Sequence, residues 1–169
     1  GGPYRITDID QVLERAETIK DEGKGRRSMK LATRINSYFR DGDKNLDRVF
    51  AEFQSVGLTH VDLNYPEHCT GVTAEDMAAK LAAHDLQLNG CALRFRNAFL
   101  NGDLGNADDA LAAEALELCY EACDYCRTAG GNTVTIWLGH DGFDYSFQIA
   151  YARVFDQLVA AFQKVCDYA

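Results

Sequence analysis

A chain of 169 residues, 47% of them apolar and 25% charged, is long enough to bury a core of its own and too hydrophobic to stay disordered. A net charge of −9 with scattered basic residues excludes the clustered Lys and Arg that phosphate backbones require, so no nucleic-acid partner is expected. No apolar run approaches the roughly 20 residues that span a bilayer and no apolar h-region follows Gly1, so the expectation is a cytoplasmic protein with no membrane partner, its six cysteines reduced.

Residues 1–28 stand apart as an N-terminal helical extension or linker. Ile9, Val12, Leu13, Ala16 and Ile19 recur at helical spacing. The basic run Lys24-Gly-Arg-Arg27 reads as solvated linker, because glycine beside it breaks any helix.

From residue 29 to residue 169 one unit occurs four times: a β-rich run, a polar turn, an amphipathic helix, then a corner. The first run is Lys30 to Tyr38, with a turn at Gly42 and a helix from about Asn45 to Val56, closed by Gly57 as a left-handed cap. The second is Thr59 to Tyr65, followed by a helix that Thr73-Ala-Glu-Asp76 opens and that ends near His84. The third is Leu86 to Phe95, with a polar loop through Gly105 and a helix from about Asp108 to Thr128, stopped by Gly130-Gly131. The fourth is Thr133 to Leu138, a glycine-rich corner over residues 139–142, and a helix from about Phe147 to Asp167.

Strands alternating with helices of this length predict βαβ crossovers and a parallel sheet, either an open doubly wound sheet or a (β/α) barrel. Neither G-x-G-x-x-G after the first strand nor G-x-x-x-x-G-K-[ST] is present, which removes the common reasons for a nucleotide-binding open sheet.

Cys119-x-x-x-Cys123-x-x-Cys126 has the spacing that holds a four-iron cluster in radical enzymes, but it lies inside the helical run from Ala112 to Cys126. Spacings of four and three then place the thiols on one helical face, where they pack as small apolar groups. His60 and Asp62 alternate with Val61 and Leu63, so both point to one face of the sheet. His60 lies early in its strand and reads as a hydrogen-bonded structural histidine.

Active sites of parallel β/α folds are built at the C-terminal ends of the strands. The polar residues there are Arg34, Asn36 and Tyr38; Asn64, Glu67 and His68; Arg94, Arg96 and Asn97; and Trp137, His140 and Asp141. Donor-rich side chains around one large aromatic suit a polyhydroxylated ligand, whose hydroxyls take hydrogen bonds and whose C–H face takes a ring.

The segment Thr133-Val-Thr-Ile-Trp-Leu-Gly-His-Asp-Gly142 resembles the fourth strand and loop of xylose isomerases, where Trp-Gly-Gly-Arg-Glu-Gly lines the sugar pocket. Trp137, Gly139 and Gly142 match, and His140 and Asp141 stand for the Arg-Glu pair. Val61-Asp-Leu-Asn-Tyr65 is similar to the second strand of the same xylose-isomerase-like superfamily of sugar isomerases and epimerases. The resemblance runs from Met29 to the end and implies a (β/α) barrel of the TIM type, of which about four βα units, a half barrel, are present.

It further implies a metal-dependent isomerase or epimerase acting by proton transfer next to a sugar carbonyl. His140 and Asp141 are assigned the catalytic role, and Asn36, Asn64, His68, Arg94 and Trp137 the contacts to a sugar or sugar-derived substrate. The divalent ion, Mn or Mg, belongs in this superfamily to the fifth to eighth strands, so the complete barrel is expected to hold it and this chain is expected to supply pocket walls without a full metal site or isomerase activity of its own. A carbon-glycoside deglycosidase catalytic subunit shares the scaffold and is the alternative enzyme. A non-catalytic half-barrel module is the alternative outside enzymes. Four units leave two unpaired sheet edges, and apolar side chains such as Leu31, Leu63, Leu93 or Ile136 near water, depending on strand facing. A homo-oligomer or a complementary half barrel is therefore expected.

Overall fold

The computed structural model describes residues 30–39, 43–139 and 147–169. The expected extension over residues 1–28, the turn at Gly42, and His140, Asp141 and Gly142 of the last corner lie outside these residues. The described elements run β1 (Ala32–Arg34), α1 (Leu46–Ser55), β2 (His60–Tyr65), α2 (Ala74–Ala83), β3 (Gln87–Arg94), α3 (Asp109–Thr128), β4 (Thr133–Trp137) and α4 (Tyr151–Tyr168). Short 3-10 turns follow β1 at Asn36–Tyr38 and β3 at Asn97–Phe99.

Helices α1, α2 and α3 start where short polar side chains take up free backbone N–H groups. Asn45 accepts from the Arg48 N–H at 3.1 Å, Thr73 from Asp76 at 3.1 Å, and Asp108 from Ala110 at 2.9 Å and Leu111 at 3.4 Å. Each such cap stabilises its helix by about 1 kcal/mol. Gly57 and Gly130, just past α1 and α3, have φ of +77° and +88°, the left-handed geometry that a side chain resists.

All pairings are parallel and the strand order is β1-β2-β3-β4. Val61 and Leu63 of β2 share one buried cluster with Val49, Phe50 and Phe53 of α1 and Met77 and Leu81 of α2. Leu93 of β3 shares the other with Ala115, Cys119, Ala122 and Cys123 of α3 and Ala161 and Val165 of α4. Full burial of each large side chain contributes roughly 1.5–3 kcal/mol. Sequential order with every helix on one face is the arrangement of a barrel segment; a doubly wound sheet reverses order at a switch point and is covered on both faces.

Three expectations need correction. The first run leaves the sheet after Arg34 instead of continuing to Tyr38: Ile35 adopts helical backbone (φ −83°, ψ −11°), is fully buried in the helix-side cluster, and accepts the Tyr38 N–H at 3.0 Å. The last helix begins at Tyr151, not near Phe147, because Phe147 has a φ of 71° and stands 98% exposed. The face away from the helices is polar, not apolar. Leu63 and Leu93 are fully buried, Ile136 packs partly buried against the α3–α4 cluster, and among the four apolar residues named above only Leu31 is exposed. Alternation explains this, since residues 61, 63, 93 and 136 share the helix side while Arg34, Asp62, Asn64, Arg94, Thr135 and Trp137 point the other way.

The α3 thiols are free and buried, Cys119 and Cys123 against α4 and Cys126 donating to the Thr133 carbonyl at 3.4 Å. Among the described residues no helix is long and apolar enough to cross a membrane.

Candidate functional site

The open face ends, at the C-terminal edge of the strands, in a group of polar residues held by local turns. After β2 the chain reverses at once through a cis Tyr65–Pro66 peptide. The His68 N–H donates to the Asn64 carbonyl at 2.8 Å, and His68 Nδ1 accepts the Asn64 N–H at 2.8 Å. Two reciprocal bonds thus lock the imidazole over the strand end, with the Phe39 ring edge-on to it at 5.5 Å.

His68 is 6% exposed. Burial pushes its pKa down to about 4, and the charges of Lys44, Arg94 and Arg34 add to the shift while Glu67 opposes it. The ring is neutral at pH 7. Because Nδ1 accepts, its one proton sits on Nε2, which makes His68 a hydrogen-bond donor and not a base.

Asn64 is fully buried, and neither its amide oxygen nor its amide nitrogen has a hydrogen-bond partner among the described residues. Leaving such a group unpaired costs about 1–3 kcal/mol, a penalty that a bound hydroxyl would relieve. Arg94 and Trp137 stand side by side in the β3–β4 register, and the guanidinium lies 4.2 Å from the ring centroid. Arg94 Nε is buried and also lacks a partner among the described residues, while Trp137 is 51% exposed. Cation, indole and unsatisfied amide therefore share one end of the sheet.

Other residues expected here divide. Arg34 ends β1 in register with Asp62, whose carboxylate accepts from Asn89 Nδ2 at 2.8 Å. Asn36 lies exposed in the turn after β1. Glu67 pairs with Arg96 at 2.8 Å on the exposed rim. Tyr38 turns to the core, its ring edge-on to Phe53 at 4.6 Å and its carbonyl accepting from Arg48 at 2.9 Å, so it belongs to packing and not to the site. His60 sits at the far end of β2, its Nδ1 2.8 Å from Thr59 Oγ1, as a structural histidine would. Lys44, absent from the expected set, is exposed in the first loop, and its charge adds to the lowering of the His68 pKa.

Among the described residues no three His, Cys, Asp or Glu side chains gather where a metal ion could be held. Amides, guanidinium groups and a neutral imidazole fit hydroxyl or anionic oxygens and do not fit a divalent cation, which wants several oxygen ligands.

No protein-family model matches the sequence, and a search of curated proteins finds no match. Solved structures do match. An L-ribulose 3-epimerase is 20% identical with a TM-score of 0.65, over 83% of this chain and 46% of that one. A D-allulose 3-epimerase from Methylomonas sp., solved in complex with D-allulose, is 17% identical with the same TM-score, over 83% of this chain and 47% of that one. A second structure of the Methylomonas enzyme, with additional C-terminal residues, agrees at 17% identity, TM-score 0.65 and 48% of its length. The chain spans about half the length of the solved structures it matches, and at these identities the likeness is one of fold: four parallel strands with alternating helices, a half barrel like the corresponding part of these epimerase structures.

Proposed function

We propose that this chain forms the sugar-holding wall of a sugar isomerase or epimerase of the barrel type. The observation that carries the reading is the buried Asn64 amide, unsatisfied on both atoms and set beside the Arg94–Trp137 pair at the strand ends. A ketose would give hydroxyls to Asn64, Arg94 and the Nε2–H of His68, and its C–H face to the indole. Asn36 would close the β1 side. His140 and Asp141, three and four residues beyond Trp137 in the chain, are assigned the proton transfer next to the carbonyl. Metal dependence, on Mn or Mg, is assigned to the complete barrel; the described residues of this chain do not fit the ion.

Trp137 is the only tryptophan, so its fluorescence reports on this site alone. Titration with D-allulose should give a saturable change in the wild type and none in Asn64→Ala. A wild-type chain whose emission is indifferent to ketoses, while its fold is intact by circular dichroism, would refute the assignment. Product analysis on a free ketose and on a 3-keto carbon-glycoside separates the epimerase reading from the deglycosidase alternative.

We also propose that the chain associates, with a second copy or a complementary half. The support is the exposed apolar face of α4, Phe155 at 67% and Val159 at 49%, together with the place of β4 at the edge of the sheet among the described residues. Light scattering above the 18.7 kDa of one chain is the expected result.

A further inference from the structure

The turn after β1 carries an aromatic ring to the site, and the residues before that ring are pinned from two sides. Ile35 is fully buried in the helix-side cluster, and its carbonyl accepts the Tyr38 N–H at 3.0 Å, which closes the turn Asn36–Tyr38. The Tyr38 ring goes to the core against Phe53, while its carbonyl accepts from Arg48 Nη2 at 2.9 Å. The same guanidinium gives Nε to Asp43 at 2.9 Å and Nη1 to Glu52 at 2.8 Å, so its rigid fork ties the turn to the start of α1. With Tyr38 held by both side chain and carbonyl, Phe39 leaves the turn in extended backbone (φ −74°, ψ 122°). Its half-buried ring meets the His68 imidazole edge-on, 5.5 Å between centroids and 83° between planes.

Two different groups thus hold the imidazole. The Asn64 N–H bonds Nδ1 and sets the tautomer. One hydrogen bond does not fix the plane of a ring, and the Phe39 edge is the second contact that does. We propose that Phe39 is a positioning residue of the sugar site: held by the Arg48–Tyr38 bond, its ring keeps water from one side of His68 and fixes the imidazole plane, so that Nε2–H stands ready for a ligand hydroxyl. The inference rests on the sugar-binding reading above and adds to it a residue that acts through His68. A donor fixed before the ligand arrives loses less freedom on binding, which is the advantage the contact supplies.

The test compares the full chain with Phe39→Ala, Phe39→Tyr and Arg48→Gln. Nitrogen NMR reads the tautomer and titration of His68, and Trp137 fluorescence reads the affinity for D-allulose. Burial is the chief cause of the lowered His68 pKa, so Phe39→Ala, which lets water in, should raise it from about 4 toward 6.5. The charged groups that act on the ring, Glu67, Lys44, Arg94 and Arg34, are the same in all four chains, so the change reports Phe39. D-allulose should bind Phe39→Ala about three- to tenfold more weakly at neutral pH, the worth of one hydrogen bond. Its affinity should fall further as the pH drops to about 5, where the wild type stays level, because a proton on Nδ1 opposes the Asn64 N–H. Phe39→Tyr keeps the ring and should restore the wild-type tautomer, titration and affinity. Arg48→Gln keeps the ring but loses the clamp, and should raise the His68 pKa in the same direction. A contact that only supports the fold would lower the urea midpoint of Phe39→Ala and leave the tautomer, the titration and the pH profile of binding unchanged; that result overturns the proposal. His68 responding as expected in a chain indifferent to D-allulose would overturn the sugar reading and leave the role of Phe39 at the imidazole standing.

Discussion

Lowering the pH should unfold this protein in part through one imidazole, His68. In the folded chain burial holds its pKa near 4, against 6.5 when unfolded. Between those values the unfolded state binds a proton that the folded state refuses, so stability is full above pH 6.5 and falls as the pH drops toward 4. The loss is about 2 kcal/mol at pH 5 and about 3 kcal/mol near pH 4, since the pKa lies at about 4 in the folded chain and at 6.5 in the unfolded one and each pH unit between them costs about 1.36 kcal/mol. The structural reason is twofold: the ring is 6% exposed, and protonation would place a hydrogen on Nδ1, facing the Asn64 N–H that Nδ1 now accepts at 2.8 Å. The perturbation is His68→Asn, whose side-chain oxygen can stand near the place of Nδ1 but cannot ionise. Urea unfolding of both chains at pH 7.5, 6, 5 and 4.5 supplies the comparison. Carboxylates with lowered pKa, such as Asp43 and Asp47, are common to both and cancel in the difference. The variant should start less stable and then lose less, the gap closing by about 2 kcal/mol by pH 5. Desolvation dominates the shift, so high salt should change this slope only slightly. Parallel pH profiles for the two chains would refute the reasoning.

Asn64→Leu should stabilise the ligand-free chain by about 1–2 kcal/mol, raising Tm by about 3–6 °C, because an unsatisfied buried amide is replaced by an apolar group of similar branching; it should also abolish the ketose response of Trp137. A loss of stability would mean that the amide has partners. Gly90→Ala should destabilise by about 1–3 kcal/mol, since a methyl group there collides with the Thr133 carbonyl oxygen of the neighbouring strand and must push β3 from β4. An unchanged urea midpoint would contradict the close strand contact.

Much of this was legible in the residues. Asn45, Thr73 and Asp108 announce their helices by chemistry that acts within three or four positions, and the caps form as their side chains require. Alternation along His60-Val-Asp-Leu-Asn64 separates core from open face, which makes Asn64 readable as a site residue. Other features depend on partners far away in the chain. Ile35 is β-branched and reads as strand, yet the pocket under α1 bends it out of the sheet. Arg94 meets Trp137 only because β3 and β4 pair in one particular register across an intervening helix of 20 residues.

The β2–β3 ladder steps from Val61↔Leu88 to Asp62↔Gly90 and passes over Asn89. That surplus residue acts as a length buffer. In an uninterrupted strand, losing one residue moves every later side chain to the opposite face, which here would drive Leu93 into water and Arg94 into the helices. With Asn89 already outside the count, a one-residue deletion at this point straightens the ladder and leaves Leu88, Cys91 and Leu93 on the helix side and Arg94 on the open one. The carboxylate of Asp62 would lose its amide, and the rest of the face would keep its pattern. A lineage carrying this sheet can therefore change length in the middle of a core strand, a place where most folds forbid it, without rebuilding the strand ends that hold the ligand.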